Sequence, residues 1–169
     1  MRDVLRGPLP VTDLNEALLT LRPVTLEDTP RIRAILDQPD LARRPLFAGV
    51  TELHPVEWTR DRRTFGVRLD DELFGAVDLR RDDDERDQWE LSIVLAAHKR
   101  SFDGARSALA GVAYAFQCLG ARAVWFWVPS DNRPIRVFAE KVGFAELHTV
   151  RLPSGSTATV FEITTDAWH

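Results

Sequence analysis

Cysteine occurs once in this chain, at Cys118, which excludes an intrachain disulfide and any cysteine-based metal cluster. The four histidines lack the spacing of a metal site. Lysine is almost missing: Lys99 and Lys141 are the only two, so nearly all basic side chains are arginine. A basic excess is missing as well. The 22 basic residues are outnumbered by 26 acidic ones, which argues against nucleic acid as a partner. No apolar run approaches the roughly 20 residues of a membrane helix. The opening MRDVLRGPLP has no apolar signal core. These absences point to a cytoplasmic protein with no membrane partner. Repeats, low-complexity segments and linkers are absent too.

What is present suits a single domain over residues 1–169, with a hydrophobic share of 44%. Residues 1–16, with Gly7, Pro8 and Pro10, read as an irregular N-terminal arm. A strand at 17–24 precedes a helix capped by Asp28, with Pro30 in its first turn and Ile32, Ile35 and Leu36 as its apolar stripe. Residues 37–63 are broken by Pro39, Pro45, Gly49 and Pro55 and offer only short helical pieces. Arg43, Arg44, Arg60, Arg62 and Arg63 make this region basic. It reads as a solvated surface or as a patch for an anionic acceptor. Three strands follow at 64–69, 72–80 and 88–95, turned by Asp70-Asp71 and by the charged tip 81–87. A helix at 102–119 ends at Gly120. The strand 123–128, AVWFWV, is apolar on both faces, as a central strand is. Ser130, Asp131 and Asn132 cap another helix that closes at Gly143, and strands at 144–152 and 157–164 form a hairpin. The order predicts an α/β chain with a mixed sheet, parallel in the middle and antiparallel on the early side, with helices on both faces. Trp125 and Trp127 either lie under helices or face a second subunit, so a monomer and a homodimer both remain open.

The chain is organised around Trp89 to Leu109. A strand there runs into a basic connection, His98-Lys99-Arg100-Ser101, and then into a helix whose first turns carry Gly104, Ala105, Ser107 and Ala108. Unpaired N–H groups and about half a positive charge stand at such a helix start, so an anion can bind there. Small residues let a phosphate approach the backbone.

Two local patterns in this order resemble the GCN5-related N-acetyltransferase (GNAT) family. Arg100-Ser101-Phe102-Asp103-Gly104-Ala105 is similar to that family's pyrophosphate signature, Gln/Arg-x-x-Gly-x-Gly/Ala, with Asp103 standing in place of a glycine. Asn132 to Phe144, NRPIRVFAEKVGF, is similar to its fourth-helix segment, in Asn132, Glu140, Lys141, Gly143 and Phe144. Leu21-Arg22-Pro23 is similar to its opening strand. The resemblance covers residues 18–164. It implies a mostly antiparallel sheet of about seven strands, splayed between the fourth and the fifth. It also implies acetyl-coenzyme A as co-substrate. The pantetheine arm would pair with backbone N–H groups among Ser92, Ile93, Val94 and Leu95. The pyrophosphate would rest on the N–H groups of Arg100, Ser101, Phe102, Asp103, Gly104 and Ala105, with Arg106 beside them and Asn132 nearby. A small-molecule or peptide amine would enter from the opposite side.

Direct acetyl transfer needs a neutral amine, a polarised thioester carbonyl and a proton for the departing thiolate. Glu90 stands where the family often carries a general-base glutamate; its other reading is a residue alternating out to solvent beside Asp87. Family members commonly protonate the thiolate with a tyrosine, and that position here is Ala139. The one tyrosine, Tyr114, reads as packing, Cys118 as a buried or half-buried small side chain, and Ser130 or a water is the substitute donor. A carboxylate at Asp103 about 5 Å from a phosphate costs on the order of 1–3 kcal/mol per phosphate charge. Lys99, Arg100 and Arg106 flank it, the aspartate can turn away as an N-cap, and Gly104 can supply the close approach one position later. The expectation is therefore an N-acetyltransferase acting on a primary amine in a ternary complex. The other reading is a non-catalytic binding or structural protein on the same fold with a degenerate coenzyme A site.

Overall fold

The structure, a computed structural model, describes residues 9–11, 19–39, 60–82, 87–97 and 102–168. Among these are eight strands: β1 (Leu9–Val11), β2 (Leu19–Pro23), β3 (Arg62–Leu69), β4 (Glu72–Arg81), β5 (Gln88–Leu95), β6 (Ala123–Pro129), β7 (Ala145–Arg151) and β8 (Thr157–Thr164). The helices are α1 (Thr29–Leu36), α2 (Phe102–Leu119) and α3 (Arg133–Val142). One sheet runs β1-β2-β3-β4-β5-β6-β8-β7. The β5–β6 pair is parallel, and the β1–β2, β2–β3, β6–β8 and β7–β8 pairs are antiparallel. This is the mixed, mostly antiparallel sheet expected of the chain, with one strand more. The extra strand corrects the reading of residues 1–16 as wholly irregular: β1 pairs Leu9, Pro10 and Val11 with Leu21, Thr20 and Leu19. Three residues are too few to show a period, and Pro10 is tolerated because β1 is an edge strand.

The chain divides into two compact units. The first comprises Met1–Leu79 and Ser92–Gly111. Its core is built from the alternating faces of β2, β3 and β4 (Leu19, Leu21, Phe65, Val67, Val77, Leu79) together with Ile32 and Ile35 of α1. Asp28 precedes α1 but, contrary to expectation, makes no side-chain cap bond to it. Its carboxylate accepts from the Thr25 N–H at 3.0 Å and the Thr25 hydroxyl at 3.2 Å, and pairs with Arg68. Asp70 and Asp71 both take positive φ, 48° and 69°, as a two-residue hairpin turn requires. Gly75 admits no side chain. A Cβ there would stand 2.5 Å from the Val94 carbonyl oxygen and 2.3 Å from Leu95 Cδ2, so glycine lets β4 lie tight against β5.

The second unit comprises Arg80–Leu91 and Val112–His169. Val124, Phe126, Phe161 and Ile163 fill its core with Ala139 and Phe144. Phe126 stacks on Phe161 and meets Phe144 edge-on, at centroid distances of 5.6 and 4.9 Å. Gly143 takes φ 99° and closes α3, its N–H donating back to Ala139. The β5–β6 register pairs Gln88, Trp89 and Glu90 with Ala123, Val124 and Trp125. Trp125 and Trp127 are half-buried. No helix of the described residues is long and apolar enough to cross a membrane.

Candidate active site

In the first unit, the Ala96 N–H, one residue past β5, donates to the Phe74 carbonyl at 2.8 Å. Backbone groups alternate sides along a strand, so the N–H groups of Ser92 and Val94 point to β4 as well. Those of Ile93 and Leu95 point to the other edge. Ser92 and Ile93 are half-buried, whereas Val94 and Leu95 are buried.

Arg100 and Ser101 lie outside the described residues, as do His98, Lys99, Arg43 and Arg44. Helix α2 begins at Phe102, so Asp103 lies inside its first turn rather than at the cap. Its carboxylate stands 3.6 Å from Arg106 Nη1, one turn on, with side-chain exposures of 17% and 8%. The Asp103 carbonyl accepts from the Ser107 hydroxyl at 2.6 Å. Thus the misplaced negative charge is met inside its own helix by a buried arginine. Gly104 turns its bare Cα to Leu95: a Cβ would sit 3.2 Å from Leu95 Cδ1. Its smallness serves the close seating of helix on strand. Ala105 is half-buried beside it.

In the second unit Glu90 is 8% exposed, and it pairs with Arg80. This overturns its reading as a solvent-facing residue. Asp87 does lie near the surface, where it faces the exposed Arg122 at 3.4 Å. The register puts Glu90 beside Trp125, and Trp125 beside Glu162. The Trp125 indole N–H is buried without a hydrogen-bond partner among the described residues.

Ser130 follows the end of β6. Its N–H donates to the Thr157 carbonyl at 3.0 Å, its carbonyl accepts from Arg136 Nη1 at 3.2 Å, and its Oγ lies 3.0 Å from Thr159 Oγ1. Ser130 lies five residues along from Trp125, so alternation puts it on the other face, about 16 Å further at about 3.3 Å per residue. Glu90 and Ser130 are therefore not a touching pair. Asn132 is the half-buried residue before α3 and makes no side-chain cap bond.

Two further expectations need correction. Cys118 is exposed, not buried, and desolvation on its protein side raises its thiol above the ordinary value, which leaves little thiolate. Arg62 does not belong to an anion-binding patch: its Nε donates to both Asp78 oxygens, at 3.0 and 3.1 Å, and Asp78 also takes the Thr64 hydroxyl at 2.6 Å. Tyr114 is buried, as a packing residue is. Among the described residues no group of three His, Cys, Asp or Glu side chains is placed to hold a metal ion. Sequence reasoning missed Arg80 and Thr159. Arg80 could have been found from the tight β4–β5 hairpin, which sets it across from Glu90; Thr159 carries no local signal.

The acetyltransferase (GNAT) domain pattern matches residues 19–145, three quarters of the chain, and the chain belongs to that family. Solved structures share the fold. A probable acetyltransferase superposes with TM-score 0.74 at 18% identity, over 95% of this chain and 99% of that one. A spermidine N-acetyltransferase chimera of Vibrio cholerae SpeG and hSSAT gives 0.72 at 16%, over 89% and 97%. An uncharacterized protein from Bacillus halodurans gives 0.76 at 14%, over 96% and 93%. No curated protein matches the chain. The family uses acetyl-coenzyme A, and the residues present fit it at two points. Ile93 and Leu95 aim their N–H groups away from β4, and Arg106 stands against the Asp103 carboxylate at the start of α2. The chain is thus an acetyltransferase by family.

Proposed function

We propose that this protein is an acetyl-coenzyme A-dependent N-acetyltransferase that passes the acetyl group directly to a primary amine in a ternary complex. Bound acetyl-coenzyme A supplies an activated acyl group on a thiol leaving group. The observation that carries the reading is Glu90, a buried carboxylate in the family's base position. Glu90 takes the proton of the incoming amine, directly or through water. Backbone N–H groups of Ile93 and Leu95 hold the pantetheine arm, and the first turn of α2, residues 102–105, takes the pyrophosphate, with the adjoining Arg100 and Ser101.

Ala139 is fully buried and offers no proton. Water gives the departing sulfur its proton. Ser130, about 16 Å along from Trp125 and on the other face, lies too far from Glu90 to serve the same carbonyl carbon.

Calorimetric titration of acetyl-coenzyme A is the first test, with micromolar binding expected. Thiol release in the presence of candidate amines follows, with spermidine first because one structural relative is a spermidine N-acetyltransferase. The non-catalytic reading has one specific observation behind it, the alanine at 139. Absent binding, or binding with no thiol release to any amine, would select it.

A further inference from the structure

One face of the sheet in the second unit carries a row of charged and aromatic side chains. Trp125 stands opposite Glu90 on one side and opposite Glu162 on the other, and Glu162 stands opposite Ala145 on β7. Directly paired residues share a face, so Glu90, Trp125 and Glu162 line up on the same side of the sheet. The core residues Val124, Phe126, Phe161 and Ile163 point the other way, as alternation requires. Arg80 extends the row, since its guanidinium pairs with Glu90. The charges along the row do not balance. Glu90 has Arg80, whereas Glu162 is half-buried and takes no ion pair or hydrogen bond among the described residues. Between the two carboxylates lies a half-buried indole whose N–H makes no hydrogen bond among those residues.

An unpaired carboxylate beside an indole is a seat for an organic cation. The carboxylate accepts charge-assisted hydrogen bonds, and an indole face attracts an ammonium group through its quadrupole. Partial burial makes this attraction stronger than at an open surface. Ala145 brings only a methyl group and is exposed, so the seat is open from the β7 side. Strands lie about 4.8 Å apart, so Glu162 is about 10 Å from Glu90 at the backbone, with Trp125 between them. We propose that Glu162 and Trp125 hold a second ammonium group of the acceptor while its reacting amine meets Glu90, so that the acceptor class is a diamine or polyamine. This rests on the reading of Glu90 as the base. Two amino groups on a short alkyl chain match the spacing. The protonation chemistry agrees with it. A like charge nearby lowers the pKa of an ammonium group, and Glu162 keeps the charge on the far nitrogen, so the near nitrogen is the one that yields its proton to Glu90. The sign is opposite to that of the anionic acceptor which the arginine-rich stretch suggested.

Thiol release from acetyl-coenzyme A is measured with two probes of equal carbon count, diaminobutane and butylamine, and the ratio of their kcat/KM values is the readout. In the wild type the diamine is preferred by about tenfold or more. Glu162→Gln keeps the size and loses the charge; it lowers the ratio by about tenfold, as loss of one charge-assisted hydrogen bond does, and the change lies in KM rather than kcat. Glu162→Asp keeps the charge on a shorter stem and retains part of the preference. Trp125→Leu lowers the ratio by a smaller factor. Calorimetric titration of diaminobutane into the coenzyme A complex is a second readout that needs no turnover, and its Kd rises about tenfold in Glu162→Gln.

A wild-type ratio near one would overturn the inference and leave the proposed function standing on its thiol release. An equal fall for both amines in Glu162→Gln would do the same, since Glu162 would then act on the fold and not on the second charge. Diaminobutane binding that Glu162→Gln leaves untouched would overturn it too. Charge-dependent diamine binding with no thiol release to any amine would remove the proposed function and leave the cation seat supported.

Discussion

Each of the two units holds a carboxylate against a guanidinium, and the two pairs are built in opposite senses. In Asp103–Arg106 the guanidinium is the deeper partner, at 8% side-chain exposure against 17%. In Arg80–Glu90 the carboxylate is the deeper one, at 10% against 63%. The first pair consists of neighbours on one helical turn and is fixed by the helix itself. The second reaches across two strands, and one end is a long side chain in water. A pair buried at its cationic end is a local neutraliser: the Arg106 guanidinium offsets the Asp103 carboxylate within one turn of α2. A pair buried at its anionic end leaves the arginine in water and the carboxylate covered.

The strongest way to break this contrast is to remove the buried anion. Glu90→Gln keeps the shape and the hydrogen-bonding capacity but not the basicity. Its kcat for thiol release should fall by about a hundredfold or more, with the KM for acetyl-coenzyme A nearly unchanged. A loss under threefold would make Glu90 a structural residue and Arg80 its mere satisfier.

Asp103→Asn probes the other pair with a smaller effect. It leaves Arg106 cationic at the helix start, where a pyrophosphate gains from the extra charge. Acetyl-coenzyme A should bind about tenfold more tightly at low salt, and the gain should shrink as salt screens it. The same change leaves a buried guanidinium without its carboxylate, so the melting temperature should drop. Calorimetry and thermal unfolding on one preparation separate the two. Unchanged affinity would mean that Asp103 never faced the phosphates.

How far the sequence shows these features depends on whether they are local. The bounds of α2, β5 and β8 could be read to the residue, because each has a regular period bracketed by a turn or a cap. β1 could not, being held only by its partner β2. Asp103 stands out as a departure from a motif, yet what cancels it is an arginine three residues on whose orientation only the fold determines. Glu90 was visible as a candidate base, while its burial was not, since alternation along β5 fits a solvent-facing and a covered residue equally well. Arg62 looked like part of a basic patch because composition counts charges and not their partners; Asp78, on the neighbouring strand, accounts for it. The Ser130–Thr159 contact joins positions 29 apart, and nothing in either neighbourhood announces the other.

The mildest prediction sharpens the contrast at its exposed end. Arg80→Gln removes a guanidinium that is mostly in water, and for an ordinary surface pair the loss would be a few tenths of a kcal/mol. Here the partner is Glu90, which is buried, so losing its cation leaves a desolvated carboxylate with weaker support. The cost should therefore exceed the surface value and reach about 1 kcal/mol, held below the 3–5 kcal/mol of a fully buried broken pair because Arg80 itself is solvated. Chemical denaturation of Arg80→Gln, of Glu90→Gln and of both together closes the cycle. A coupling near zero would show that water already supports Glu90 from its open side. A coupling of about 1 kcal/mol would show that the arginine holds the carboxylate.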